Sequence, residues 1–336
     1  MERVRVGVIG VGGFGESHVA AYSALPYVTV AAVCDTRAAR AREIAVRYGV
    51  PESYTDYHAM LRGTALDALS ITTPEEAHLA PALAAIAAGK HILVEKPIAT
   101  RLDEAERMVS AARNAGVYLM PGHILRFETR YALLKDRLES GELGSVVSIY
   151  ARRNRPKSLA KTYLRTHGVL EASIHDLDLV LWYTGDRVKR VRAFQRNIQG
   201  YANPDVLFAI LELGKGALVC IENNWLTPDE SGVGLNDAMQ VAGTRGIAHI
   251  DFVNTGLSLW RDSGYLALDV SHEPRVRGEV FGALKEELAY FAHCVLEGRP
   301  PAVVTAAEAV EGLRVALAII ASAEQERDIV LAEIKP

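Results

Sequence analysis

Apolar positions in the first third of the chain follow two alternating rhythms. Short β-branched or fully apolar runs at residues 4–9, 28–33, 68–71, 91–94 and 117–120 predict strands. Helical spacing fills the gaps at 13–24, 38–48, 78–88 and 102–115. The last two helices are stopped by Gly89 and Gly116, the residue type favoured just past a helix end, and Pro81 falls in a first turn where its missing N–H costs little. Alternation of this kind, with short connections, predicts a parallel sheet covered by helices on both faces. After Met120 the rhythm changes. Strand-like segments at 146–153, 188–197, 206–213, 217–224, 238–242, 249–252 and 256–260 follow one another, interrupted or closed by helices at 169–183, 281–296 and 306–324. Successive strands with few crossovers predict a largely antiparallel sheet. The expected fold is therefore α/β, an N-terminal doubly wound parallel sheet at 1–122 followed by a C-terminal α+β domain with an open sheet at 123–336.

Composition changes this picture little. Hydrophobic residues at 49% and charged residues at 23% describe a chain that buries a full core, and 336 residues leave room for two domains. A net charge of -4 gives no general attraction to nucleic acid or acidic lipid, so neither is expected as a partner. Cys34, Cys220 and Cys294 are widely spaced, without a CxxC or Cys/His cluster, so no disulfide framework and no metal site are expected. Apolar runs such as 79–88 and 315–321 are far shorter than the roughly 20 residues that span a bilayer. The N-terminus enters a strand pattern with no signal-peptide core, and a cytoplasmic protein is expected.

The first chemical motif is Gly10-Val11-Gly12-Gly13-Phe14-Gly15, which fits G-x-G-x-x-G. It follows a predicted strand, opens a predicted helix, and precedes by twenty residues Asp35 at the end of the next strand. That register is the one a dinucleotide-binding βαβ unit needs, the Rossmann arrangement. Glycine at 10 permits the turn, at 12 the approach of a pyrophosphate, and at 15 close helix–strand packing. Unpaired N–H groups at the helix N-terminus then face the phosphates. Asp35 suits the two ribose hydroxyls of NAD and repels the extra phosphate of NADP. Arg37, two residues on, keeps NADP open as an alternative.

Two further stretches carry charge where plain structure would not. Glu95-Lys96-Pro97 ends an apolar strand, where open α/β sheets bind ligands. Within the predicted helix 169–183, Leu170, Ile174, Leu177 and Leu181 form an apolar stripe, and Glu171, His175 and Asp178 share the strip beside it. An imidazole titrates near neutrality and can take the proton that an alcohol loses on oxidation, so His175 is the candidate general base. A carboxylate beside it, Glu171 or Asp178, can orient the ring.

With these residues in view, the chain resembles the family of glucose-fructose oxidoreductase, inositol dehydrogenase and their relatives, the Gfo/Idh/MocA family. The resemblance rests on Gly10–Gly15 with Asp35, on Thr73-Pro74 followed by His78, and on Ala88-Gly89-Lys90-His91 leading to Glu95-Lys96-Pro97. It continues through Gly122-His123-Ile124-Leu125-Arg126-Phe127, Gly141-Glu142-Leu143-Gly144, and Gly168 to His175-Asp176-Leu177-Asp178. It implies an NAD-dependent dehydrogenase of a sugar or polyol, with Lys96 and His175 acting at the reacting carbinol. Thr73, Pro74, His78, Glu95 and Lys96 join Gly10, Gly12, Gly13, Phe14, Gly15, Asp35 and Arg37 as expected cofactor residues. It also implies a second domain that binds substrate and forms a homo-oligomer, a dimer or tetramer, through its open sheet. Inositol-dehydrogenase-like members carry aspartate where this chain has Glu171, whose longer side chain keeps the charge and shifts its reach.

His123, Arg126 and Asp178 complete the expected substrate contacts, together with Arg153 and Arg155 from the basic run 152–157. If those two arginines face a substrate, it carries a carboxylate or phosphate, since arginine forks suit both. Three readings follow: a dehydrogenase of an inositol-like polyol or aldose, a nucleotide-sugar or sugar-acid 3-dehydrogenase, and a non-catalytic NAD(P)-sensing regulator. Lys96 and His175 argue against the last, because a sensor has no chemical need of either.

Overall fold

A computed structural model describes residues 3–253, 257–261 and 264–336. The chain forms two compact units, one made of residues 1–128 and 271–310, the other of 129–270 and 311–335.

The first unit is built on six parallel strands, β1 (Val4–Ile9), β2 (Val28–Cys34), β3 (Glu52–Tyr54), β4 (Ala68–Ile71), β5 (His91–Glu95) and β6 (Leu119–Gly122). Their order across the sheet is β3-β2-β1-β4-β5-β6, the dinucleotide-binding order that reverses between β1 and β4. Helices α1 (Gly13–Ser23), α2 (Ala38–Tyr48), α3 (Tyr57–Gly63), α4 (Leu79–Ala87) and α5 (Leu102–Ala115) connect them. The strands read as continuous apolar runs because both faces are covered: Val6, Val8, Leu69, Ile71, Ile92, Leu93 and Val94 have no exposed surface. Helices α2 and α5 end on left-handed Gly49 and Gly116. Strand β3 and helix α3 were not expected from the sequence. Only the Asp56 side chain announces α3, accepting hydrogen bonds from the backbone N–H groups of His58 and Ala59 at 3.0 and 3.2 Å.

The compact units differ from the expected 1–122 and 123–336 in the placing of one later segment. After Ser271 the chain rejoins the first unit, and the helix Ala283–Leu296 buries Leu284, Leu288, Phe291 and Ala292 while packing on α1 and β1. Arg126, 3% exposed, fastens the same returning segment by donating to the Val303 carbonyl at 2.7 Å and to Glu308 at 3.1 Å. Apolar complementarity with α1 explains the return, and no local sequence signal reports it.

The second unit holds a mixed sheet. Its strands are β7 (Val146–Pro156), β8 (Val188–Arg196), β9 (Val206–Leu213), β10 (Leu218–Thr227), β11 (Asn236–Gly243) and β12 (Ile247–Asp251), in the order β12-β11-β7-β10-β9-β8, with Ile329–Val330 at the far edge. Only β7 and β10 run parallel; their neighbours pair antiparallel, as expected. Helices α6 (Thr129–Glu139), α7 (Lys157–Tyr163) and α8 (Ile174–Thr184) belong to this unit. The strands alternate: Ile149, Ala151, Leu207, Ala209, Leu211, Val219 and Ile221 are buried on one face, while Phe194, Phe208, Ile210 and Leu218 stand exposed on the other. The strand expected at 256–260 appears at Ser258–Arg261, and Gly256 lies outside the described residues. Among the described residues no helix is long and apolar enough to cross a membrane.

Candidate functional site

The glycine motif forms the turn from β1 into α1. Gly10 has φ +90°, and a Cβ there would meet the Thr73 nitrogen at 2.8 Å, because the ends of β1 and β4 approach closely. A Cβ at Gly15 would lie 1.9 Å from the Gly10 carbonyl oxygen, so only glycine lets the helix start against the strand. Gly12 and Gly13, by contrast, face open space, with nothing within 4 Å of a built Cβ. This is a cradle of backbone N–H groups with room for a pyrophosphate. Beside it, Thr72 Oγ1 donates to the Gly10 carbonyl at 2.6 Å, and Thr73 Oγ1 is buried without a hydrogen-bond partner among the described residues. A buried orphan hydroxyl next to an open cradle fits a polar ligand. Asp35, 8% exposed at the end of β2, accepts from Arg37 N–H at 2.9 Å and Nε at 3.3 Å, through a single carboxylate oxygen, Oδ1. Phe14 stands at the surface, 36% exposed. The cradle, the orphan hydroxyl and the acid together fit NAD.

The Glu95-Lys96-Pro97 turn closes β5. Lys96 is half-buried, and its peptide bond to Pro97 is cis. Glu95 points inward instead of toward a ligand. Its Oε1 lies 3.1 Å from Nε2 of the fully buried His18 on α1, and its Oε2 accepts the Lys96 N–H at 3.2 Å. His78, expected at the cofactor, is 1% exposed, with Nδ1 3.0 Å from the Pro97 carbonyl and Nε2 3.0 Å from the Thr73 carbonyl. Burial holds its pKa below the ordinary histidine value. Glu95 and His78, both expected at the cofactor, thus face neighbouring protein groups. Desolvation favours such partners for a buried polar side chain. His123, 1% exposed, starts the single 3-10 turn Ile124–Phe127, and Arg126 serves the returning segment, so neither stands in solvent for a substrate.

In the second unit, the segment expected as one helix begins as a π-helical turn, Val169–Ser173, and continues as α8. Ile174 N–H reaches back five residues to the Val169 carbonyl. Such turns insert one residue into a helix and recur at functional sites. His167 starts the turn: its Nδ1 accepts the Val169 N–H at 3.2 Å, and its Nε2 faces Gln195 Oε1 at 3.2 Å. Burial lowers the pKa of His167, in keeping with an Nδ1 that must stay unprotonated. Between residues 167 and 180 every position is buried except Glu171 and His175. Asp178, one turn after His175 on α8, keeps its place on the strip but is 2% exposed.

The basic run holds the largest correction. Arg153, 2% exposed, donates from Nε and NH2 to both oxygens of Asp176, at 3.0 and 2.7 Å, and from NH1 to Asp237 at 2.8 Å. Arg155 donates to both oxygens of the same Asp237. Asp176 and Asp237 are 1% and 0% exposed. Burial alone would lower the Arg153 pKa, but the two facing carboxylates raise it well above the usual value. Both arginines are therefore engaged in an ion cluster that ties β7 to β11 and α8. Sequence reading passed over Asp176 in its motif and missed Asp237, as it missed His18, His167 and Arg40 on α2.

A six-stranded parallel sheet with a glycine cradle and a β2 acid defines the first unit as an NAD-binding oxidoreductase fold. The model of an oxidoreductase family with an NAD-binding Rossmann fold matches residues 4–123, and that of the GFO/IDH/MocA C-terminal domain matches 131–249. The chain belongs to the Gfo/Idh/MocA oxidoreductase family, and its cofactor is NAD. A myo-inositol 2-dehydrogenase of Thermotoga maritima is 28% identical over 346 residues, covering 98% of this chain and 99% of that protein. A scyllo-inositol 2-dehydrogenase (NAD(+)) of Bacillus subtilis is 27% identical over 94% of this chain and 93% of its own. The crystal structure of scyllo-inositol dehydrogenase from Lactobacillus casei with NAD(H) and scyllo-inositol superposes with a TM-score of 0.85. It shares 20% identity and covers 98% of this chain and 100% of its own, which shows the fold.

Proposed function

We propose that this protein is an NAD-dependent dehydrogenase acting on a secondary hydroxyl of an inositol-like polyol or sugar. The observation that carries the reading is the pair Glu171, in the π-helical turn, and His175, just past it on α8, the two breaks in an otherwise sealed segment. His175 takes the hydroxyl proton as the alcohol is oxidised, and returns it in the reducing direction. Glu171, four residues earlier, orients the imidazole and stabilises its protonated form. Lys96, which the family resemblance assigns to the reaction, is a hydrogen-bond donor suited to stabilising a developing alkoxide. NAD, when bound, supplies the nicotinamide that accepts the hydrogen and electron pair from carbon; Gly12, Gly13, Asp35 and Thr73 would hold it.

Neutral substrates are favoured over sugar acids and nucleotide sugars because Arg153 and Arg155 already face Asp176 and Asp237. The inositol dehydrogenases among the relatives point the same way. We take the exposed apolar row Phe194, Phe208, Ile210 and Leu218 as the surface on which two copies meet, and the cytoplasm as the site of action. The test is NADH formation, followed by near-ultraviolet absorbance, against free inositols, aldoses, sugar acids and nucleotide sugars. Turnover with a neutral polyol, abolished in His175→Ala while NAD binding persists, is the expected result. Full activity in that variant, or turnover with charged substrates alone, overturns the proposal.

A further inference from the structure

The phosphate cradle is held from behind by a residue that no motif contains. Arg40 lies in the first turn of α2, with a guanidinium 19% exposed. Its Nε donates to the Val11 carbonyl at 2.7 Å and its NH2 to the Gly12 carbonyl at 3.2 Å. The same NH2 reaches Glu16 at 2.6 Å, and NH1 reaches Glu43 at 3.0 Å. In a trans peptide the carbonyl and the following N–H point in opposite directions. Arg40 thus fixes the Val11 carbonyl and, together with the Glu16 backbone N–H at 3.1 Å, the Gly12 carbonyl, which turns the N–H groups of Gly12 and Gly13 the other way. Nothing in the protein crowds the loop at these two positions, since a Cβ at either glycine would meet nothing within 4 Å.

Arg40 has a second effect. Glu16 sits in the first turn of α1, where its carboxylate would oppose an incoming pyrophosphate. Although burial raises its pKa, hydrogen bonds from Arg40, Arg47 and Tyr48 hold it below the ordinary carboxylate value, so the charge stays and is neutralised by the two arginines. Arg47 touches Glu16 at 2.5 Å and Glu43 at 2.7 Å. It shares the neutralising role with Arg40, and both of these partners lie off the glycine loop.

We infer that Arg40 is the positioning residue of the dinucleotide site, orienting the Gly12 and Gly13 N–H groups toward the pyrophosphate through the loop carbonyls. The inference rests on NAD binding by the first unit and concerns affinity, not turnover. It is tested by calorimetric titration of the full-length protein with ADP-ribose, and by saturation-transfer NMR with adenosine, which lacks the phosphates. Wild type, Arg40→Met, Arg40→Ala and Arg47→Met are compared. Losing charged hydrogen bonds to two loop carbonyls predicts ADP-ribose binding weakened about ten-fold in Arg40→Met, and less than about two-fold in Arg47→Met. Adenosine binding stays unchanged, and added guanidinium restores ADP-ribose affinity to Arg40→Ala. Equal losses in Arg40→Met and Arg47→Met would assign the effect to Glu16 alone and overturn the inference. So would equal losses for ADP-ribose and adenosine, which mark general damage to α2. A wild-type protein that fails to bind ADP-ribose at all removes the cofactor reading itself.

Discussion

Arg153 offers the sharpest separation between a substrate ligand and a structural charge. Arg153→Met keeps the length and apolar stem of the side chain and removes the guanidinium. Three charge-assisted bonds of 2.7–3.0 Å disappear, and two carboxylates that are 1% and 0% exposed are left with Arg155 as the remaining cation of the cluster. Removing one partner of a buried pair costs about 3–5 kcal/mol, mostly for the charge left behind. At roughly 2–4 °C per kcal/mol for a unit of this size, the melting temperature falls by about 6–20 °C. Asp176 is already held above the ordinary carboxylate pKa by burial, with Arg153 pulling it back. Without Arg153 its folded-state pKa rises further. A raised folded pKa stabilises at acid pH and loses that stabilisation as pH rises through it. The deficit of Arg153→Met is therefore smallest in acid and grows toward neutrality, and adding Asp176→Asn recovers part of it. Melting curves by circular dichroism across pH, with KM measured in parallel, decide the matter. A melting temperature within about 2 °C of wild type, together with a raised KM, would refute the structural assignment.

Two other outcomes follow from single contacts. Asp35→Ser removes the acceptor that Arg37 now occupies through two hydrogen bonds, freeing its guanidinium for a 2′-phosphate. The ratio of NADP to NAD affinity should rise by at least about ten-fold in equilibrium titrations, and an unchanged ratio would show that Arg37 does not reach the ribose. For His167, burial places the folded pKa below the usual 6.5, so the unfolded chain binds the proton first. Stability is then complete above about pH 6.5 and declines as pH falls toward the folded value. His167→Asn should flatten that decline, leaving the part due to the similarly depressed His78 and His91; melting temperatures between about pH 5 and 8 with an unaltered slope would sink the argument.

How much could be read in advance depended on how local the cause was. Strands β1, β4 and β5 were legible because burial on both faces demands an unbroken apolar run. Strand β3, three residues of mixed character, derives its place from pairing with β2 and has no pattern of its own. The glycine cradle was legible because close approach admits one residue type at a fixed spacing. Arg153 and Arg155 misled because a basic run looks solvated when its acids are distant in sequence. Asp176 is 23 residues from Arg153 and Asp237 is 84. Arg40 and His18 are ordinary helix residues until folding sets their partners, the loop carbonyls and Glu95, beside them.

The returning segment 271–310 bears on how the molecule comes into being. A ribosome delivers the six parallel strands within the first 128 residues, yet the flank of α1 that packs on the helix Ala283–Leu296 is not covered until that helix emerges. The nascent nucleotide-binding unit must wait with an apolar flank uncovered while the whole of the 129–270 insert is synthesised and folds. Cutting the chain after residue 128 leaves that flank uncovered, and the second unit is completed just as late, by residues 311–335, whose Ile329–Val330 pairs with β8.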